Sequence, residues 1–300
     1  MEPRVRIVML GTGAALADPD RGHSGIAISA AGRHYLLDIG HGTTRQLVRA
    51  NIDPSTVNHA FISHLHFDHI EDTAYFLIAS WMSNRTVKPM LFGPPGTRAF
   101  VGHLLEGGAF HVDIHARAQY KQRAETLEMI RPDVREFGPG MVFDDGFFKL
   151  TADYVDHIAP EIMHCFGFRI DIAGKVIAFS GDTAPCESMV RLAEGADLLI
   201  HECTFPEAAL EFRKQTNIGT YAHTSPLELG KLAVRARVKS LVATHFGHFD
   251  TTSPVLKRYL AKHMPIELVG PEFMETVVTD IRRHYDGPLR MAHDLMPIDL

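Results

Sequence analysis

Apolar and polar positions alternate along the chain in short runs, which predicts many brief strands set between turns and helices of ordinary length. Val5 to Leu10 is an apolar run ending at Gly11-Thr12-Gly13. Gly25 to Ala30 and Arg33 to Leu37 predict two strands joined by the turn Ala31-Gly32, and Asp38-Ile39-Gly40-His41-Gly42 closes the second. A helix over Thr43 to Ala50 follows. Ala60 to Ser63 predicts a buried strand, and the aromatic-rich run that reaches Trp81 predicts a helix. Met90 to Phe92 predicts a strand, Gly93-Pro94-Pro95-Gly96 a turn, and Thr97 to Leu105 a helix. From Gly107-Gly108 to about residue 140 the pattern weakens, predicting a surface connection with one amphipathic helix near Gln122 to Ile130. Strand signals return at Phe148 to Val155, Cys165 to Ile170, Lys175 to Phe179, Asp197 to Ile200 and Ser240 to Ala243. A further helix is predicted from Pro226 to about Ala236.

Many of these strands run into residues able to bind a metal or move a proton. The densest such stretch is His64-Leu65-His66-Phe67-Asp68-His69, between a strand end and a helix start. Alternate side chains of an extended segment point the same way, so His64 and His66 can grip one ion together. Asp68 and His69, turning into the helix, can point at a second. Imidazole mixed with carboxylate suits zinc first, then manganese or iron. A solvated polar loop does not account for such a cluster, because desolvating these groups is costly without a cation. Asp38 has two readings, as a helix cap or as a carboxylate that orients a metal-bound histidine. Gly11-Thr12-Gly13 reads as a turn. A dinucleotide fingerprint needs a third glycine where Leu16 stands, and Asp18-Pro19-Asp20 breaks any helix there.

Composition narrows the picture further. A net charge of −6 and a pI near 6.3 argue against a strongly basic nucleic-acid surface. The three cysteines, Cys165, Cys186 and Cys203, have no metal-binding spacing and read as free thiols in a reducing cytoplasm. No apolar signal core and no long charge-free apolar run is present, so neither export nor a membrane span is expected.

Beyond the histidine cluster, the chain carries Leu37-Asp38-Ile39-Gly40, Gly167-Phe168-Arg169, Ser180-Gly181-Asp182-Thr183, His201-Glu202, His223-Thr224 and Thr244-His245 in that order. In this order the segments resemble the ribonuclease Z-like, arylsulfatase–phosphodiesterase-like branch of the metallo-β-lactamase superfamily over roughly residues 5 to 250. The resemblance implies an α/β fold, the αββα sandwich of two mixed sheets face to face with helices outside. It implies two divalent ions, zinc first with manganese or iron as alternatives. His64, His66 and a further histidine would hold one ion and Asp68, His69 and His245 the other, with Asp182 bridging both. Two residues compete for that further position, His157 and His164, and spacing before the Gly-Phe-Arg strand favours His157. The resemblance also implies that His223, paired with Glu202, gives the leaving group its proton, while Asp68 orients a metal-bridging hydroxide.

Two departures from the family pattern bear on substrate. Members that process tRNA carry a long arm, whereas only Ile170 to Phe179 separates the Gly-Phe-Arg strand from Ser180 here. They also have glycine where this chain has Phe67, whose ring is expected to line the pocket. With the negative net charge, these features point to hydrolysis of a small-molecule ester, whether phosphodiester, sulfate ester or lactone. On this reading tRNA is not a partner, no membrane is engaged, and the protein is a cytoplasmic homodimer. A tRNA 3′-processing nuclease is the first alternative. A non-hydrolytic or redox protein is the second, and His66 speaks against it because redox members usually have glutamate there. One hydrolase domain is expected over residues 1–280, with 281–300 as an extension, either a dimer arm or a disordered tail.

Overall fold

The computed structural model describes residues 3–300 apart from 106, 217–221, 263, 264, 266 and 268. Six strands come from the first part of the chain: β1 (Arg6–Gly11), β2 (Gly25–Ala30), β3 (Arg33–Leu37), β4 (Val57–Phe61), β5 (Met90–Gly93) and β6 (Asp133–Glu136). Seven follow: β7 (Gly140–Asp144), β8 (Phe148–Tyr154), β9 (Phe166–Ile172), β10 (Lys175–Phe179), β11 (Leu198–Glu202), β12 (Leu241–Thr244) and β13 (Leu289–Met291). The last, β14 (Met296–Asp299), returns to the first group.

The chain forms two compact units, one of Met1–Gly11, His23–Gly138 and Leu295–Leu300, the other of Thr12–Gly22 and Pro139–Asp294. Each contains one seven-stranded mixed sheet, in the orders β14-β1-β2-β3-β4-β5-β6 and β13-β12-β11-β10-β9-β8-β7. In the first, β14 to β3 pair antiparallel and β3 to β6 parallel. In the second, β7 to β10 pair antiparallel and β10 to β13 parallel. The hairpins rest on turn chemistry. Ala31 and Gly32 have φ of 50° and 73°, and Ala173 and Gly174 have 47° and 70°. Two successive left-handed residues make the turn whose twist matches that of its strands.

In the first unit, Val8, Leu10, Leu36, Ala60 and Leu91 form one sheet face with Leu47, Phe76, Leu77 and Trp81 packed on it from the helices Thr43–Arg49 and Thr73–Met82. Ile7 and Met9, on the opposite alternation of β1, are equally buried. Near-continuous burial of this kind is what an interior strand requires. No described helix is long and apolar enough to cross a membrane.

Several boundaries differ from the sequence reading. The helix expected in the run that reaches Trp81 is Thr73–Met82, and a separate short helix, Phe67–Ile70, precedes it. Asp72 separates them, its carboxylate accepting from Thr44 N at 2.6 Å and its own N–H donating to Ile39 O at 2.9 Å. The region after Gly107 holds β6 and β7, which the apolar pattern did not reveal. Val134 is the only buried residue of β6, and β7 has none, so neither shows the alternation that betrays a half-buried strand. The amphipathic helix expected near Gln122 is a short helix Lys121–Glu125 and a 3₁₀ turn Leu127–Ile130. Thr126 parts them, bonding back to Gln122 O at 2.9 Å and accepting the Trp81 indole N–H at 3.1 Å.

The terminal stretch, expected as a dimer arm or a tail, supplies an edge strand to each sheet instead. Met296 and Ile298 are buried while Pro297 is exposed, and Ile298 faces Ile7 across the β1–β14 ladder. Ile298→Ala is therefore expected to cost about 2–4 kcal/mol of unfolding free energy by urea titration, the usual range for a truncated core side chain. Pro297→Ala on the exposed alternation should change little, and equal small effects from both variants would show that β14 is dispensable.

Candidate functional site

In each unit the polar residues singled out by the sequence lie past the carboxyl ends of strands, where open α/β sheets offer backbone and side-chain groups to ligands. In the first unit β3 runs into Asp38, and β4 is followed by Ile62-Ser63 and the histidine cluster. Asp38 is fully buried with φ of 55°. Its Oδ1 accepts from Ser63 N at 2.8 Å, and its Oδ2 from Ser63 Oγ, Ser24 Oγ and His69 Nδ1 at 3.0, 3.1 and 2.7 Å. Of the two readings of Asp38, the structure selects the carboxylate that orients a histidine. The bond fixes the His69 tautomer with its proton on Nδ1, so Nε2 carries the lone pair, 3.7 Å from Asp68 Oδ2. Backbone bonds from Ile39 N to His69 O and from Asp72 N to Ile39 O stitch the two loops together. Gly40 is required at this crossing, because a Cβ there would stand 2.1 Å from Asp68 O.

His64 is buried, with Nδ1 against Ser63 Oγ at 3.0 Å and Nε2 3.1 Å from His66 Nδ1. The His64 and His69 ring centroids are 4.0 Å apart. Four side chains of the six-residue cluster thus gather their donors in one place.

In the second unit Asp182 presents one oxygen to each of two histidines. Oδ2 is 3.8 Å from His157 Nε2 and Oδ1 is 3.4 Å from His245 Nε2. These separations exceed those of good hydrogen bonds. They fit ligands that each stand about 2.0–2.2 Å from a shared cation. His157 Nδ1 is held by Ala222 O at 2.9 Å and His245 Nδ1 by Thr204 Oγ1 at 2.9 Å, which aims Nε2 of both rings at Asp182. Burial pushes the His157 imidazole below its ordinary pKa against the pull of Asp182, favouring the neutral form that ligates metals. His164, the competing candidate, is half-buried, and its Nδ1 meets the Tyr154 hydroxyl at 3.2 Å.

Beside Asp182 stands the predicted proton-transfer pair. His223 Nδ1 is 2.9 Å from Glu202 Oε1. Glu202 is fully buried and also accepts from Thr183 N, Thr224 N, Thr204 N and Thr204 Oγ1, at 3.2, 3.1, 3.0 and 2.8 Å. Burial alone would raise this carboxyl group, but the attraction and hydrogen bond of His223 help hold it below the usual carboxylate range. The donor atoms of Asp182, His223 and His245 lie within 4.8 Å of one another. Thr204, which the sequence reading passed over, joins the two functions. Its hydroxyl donates to Glu202, and the same oxygen lies 2.9 Å from His245 Nδ1 and 3.2 Å from His223 Nδ1. A threonine after a strand end gives no signal of such a role. Within each unit, then, imidazole and carboxylate groups converge with their orienting bonds in place, and this donor set fits divalent metal ions.

Comparison with known proteins agrees with this chemistry. The family model described as "Anti-Pycsar protein Apyc1" matches residues 5–246. A ribonuclease Z of Mycobacterium marinum is 32% identical over 249 residues, covering 81% of this chain and 86% of that protein. Among solved structures, the metallo-β-lactamase fold protein YhfI of Bacillus subtilis superposes with a TM-score of 0.71 at 17% identity, covering 99% of this chain and 100% of that one. The short form of human tRNase Z gives 0.68 at 24% identity, covering 98% of each. The sandwich fold expected from the sequence is thereby established. One expectation is corrected: tRNA was set aside as a partner because of the short β9–β10 connection and the negative net charge, yet the relatives are named for ribonuclease Z activity. Net charge is a sum over the whole surface and does not exclude a local nucleic-acid site, and one hairpin is a single point of recognition. The chain belongs to the family described as Anti-Pycsar protein Apyc1, and with it to the ribonuclease Z-like branch of the metallo-β-lactamase superfamily, as a metal-dependent hydrolase.

Proposed function

We propose that this hydrolase cleaves phosphodiester bonds with two divalent ions, Asp182 joining the two metal positions and His223 protonating the leaving oxygen. The observation that carries this reading is the adjacency of Asp182 to a histidine, His223, whose Nδ1 is committed to a buried glutamate. By the sequence resemblance, His64, His66, His157 and Asp182 hold one ion, and Asp68, His69, His245 and Asp182 the other. Zinc is the first candidate, with manganese and iron next. Bound there, such ions supply Lewis acidity and bring the pKa of water down to about neutrality.

The chain's own groups do the rest. Asp68 accepts a hydrogen bond from the attacking water and directs its lone pair. Because His223 Nδ1 is tied to Glu202, proton transfer from this ring runs through Nε2. The Glu202 carboxylate stabilises the imidazolium, so the ring can arrive charged and leave neutral. The names of the relatives support a ribonucleic acid phosphodiester as the substrate. A small phosphodiester is the second reading, favoured by the two-residue Ala173-Gly174 turn at the position where tRNA-processing members carry their arm. Sulfate esters and lactones would offer a sulfur or a carbonyl carbon, in place of phosphorus, to the same groups. We assign the protein to the cytoplasm on its three free cysteines.

The first test is a screen of zinc- or manganese-loaded protein against a precursor tRNA, an aryl phosphodiester, an aryl sulfate and a lactone. Phosphodiester cleavage that disappears with chelator and returns with metal is expected, and inertness toward both phosphodiesters would sink the reading. His223→Ala should keep its metal while losing about 10²–10⁴ in rate on alkoxide leaving groups, the usual share of a general acid. Its loss on a nitrophenolate ester should be far smaller, and a parallel dependence on leaving-group pKa in wild type and variant would remove His223 from proton transfer. Asp38→Ala, which releases His69 from its orienting bond, should weaken metal binding by about 10–100-fold in chelator competition. In the same assay His157→Ala should lose more metal than His164→Ala, and the reverse order would reassign that ligand.

A further inference from the structure

Phe67 lies inside the histidine cluster, between His66 and Asp68, and is 54% exposed. Isolated exposed apolar side chains are common and need no explanation. This one is braced. Its ring meets the ring of buried His23 at a centroid distance of 5.7 Å and an angle of 78°. His23 in turn stands 5.9 Å from His41 at 63°. Glu71 faces both imidazoles, with Oε2 3.5 Å from His23 Nδ1 and Oε1 3.8 Å from His41 Nδ1. A backbone bond from His23 N to His41 O at 3.2 Å fixes the spacing of the two histidines. The result is an oriented phenyl ring with about half its surface open to solvent and an exposed imidazole, His41, in the same cluster.

We propose that Phe67, braced by His23 and accompanied by His41, is a stacking platform for the nucleobase of a nucleoside esterified to the scissile phosphate. This deepens the phosphodiesterase reading and rests on it. Phe67 shares peptide bonds with His66 and Asp68, so its Cα is about 3.8 Å from theirs. A nucleoside attached to a phosphoryl group engaged by those neighbours would need to extend only about the length of one residue to meet the ring. Every base offers a π-face to an aromatic side chain, whatever its sequence context. The carboxylate in the cluster, Glu71, repels a second phosphate and favours an uncharged ring as the occupant. The His41 imidazole can exchange a hydrogen bond with the edge of that base.

The test compares two diesters with one leaving group, thymidine 5′-(4-nitrophenyl) phosphate and methyl 4-nitrophenyl phosphate. Phe67→Ala should lower kcat/KM on the nucleoside ester about 10-fold, chiefly through KM, and leave the methyl ester within about twofold. Phe67→Trp should restore the nucleoside ester, and metal content should be equal in all three proteins. Equal losses on both esters would reduce Phe67 to a structural residue, and no loss on either would also overturn the platform. Calorimetric binding of thymidine 5′-monophosphate against ribose 5-phosphate supplies a readout free of catalysis. Wild type should prefer the nucleotide and Phe67→Ala should lose that preference. If neither ester is cleaved but the preference and its loss are found, the phosphodiesterase reading fails and the platform stands. Equal affinity of wild type for the two ligands overturns the platform whatever the catalysis.

Discussion

A buried carboxylate is tolerable only where donors surround it, and each unit of this protein has one at the end of a parallel strand. Asp38 and Glu202 are both fully inaccessible to solvent, and both have hydrogen bonds to each oxygen. Satisfying them dictates local structure over long stretches of chain. Ser24, Ser63 and His69 must meet at Asp38, which requires the β2 start, the β4 end and the cluster loop to converge. Thr183, Thr204, His223 and Thr224 must meet at Glu202, which gathers the ends of β10 and β11 and the start of the helix Pro226–Arg235. Removing a donor from either leaves a buried charge less well compensated, so these contacts specify geometry as much as they stabilise it.

The same device yields two chemical outcomes. At Asp38 the bonded histidine, His69, has a carboxylate neighbour for its other nitrogen and becomes a candidate metal ligand. At Glu202 the bonded histidine, His223, keeps a partly open side chain and becomes a candidate proton carrier. Charge balance explains why both suit a metal-dependent hydrolase. Asp38 and Asp68 are buried in the first unit and Asp182 and Glu202 in the second, and within each unit a divalent cation would offset the negative charge better than protonation near neutral pH. Thr204 links the two roles in the second unit, since its one hydroxyl touches Glu202, His223 and His245.

The histidine cluster, the strands β2, β3 and β10, and the turn Ala31-Gly32 were legible in the sequence because each depends on local rules. Period-two apolarity marks half-buried strands, glycine marks left-handed turns, and metal donors crowded into a few positions have no cheaper explanation. The strands β6, β7 and β14 were not legible. β6 buries one side chain and β7 none, and the alternation of β14 spans only four residues, so their patterns are too weak to separate from loop. The exclusion of tRNA failed for a related reason, since charge and arm length are features summed or measured along the chain, whereas recognition happens at one place on a surface.

What the sequence by itself determined, then, is the list of chemical groups, the order in which strands deliver them and the family to which that order belongs. The tertiary structure decided which nitrogen of each histidine faces its neighbours, because Asp38, Ala222, Thr204 and Glu202 each hold the opposite nitrogen through contacts far away in the chain. It aims His157, the residue that spacing had favoured, at Asp182, and turns His164 to Tyr154. A tautomer is set by whichever partner lies within about 3 Å of a ring nitrogen, and that distance is a property of folded backbone rather than of neighbouring letters.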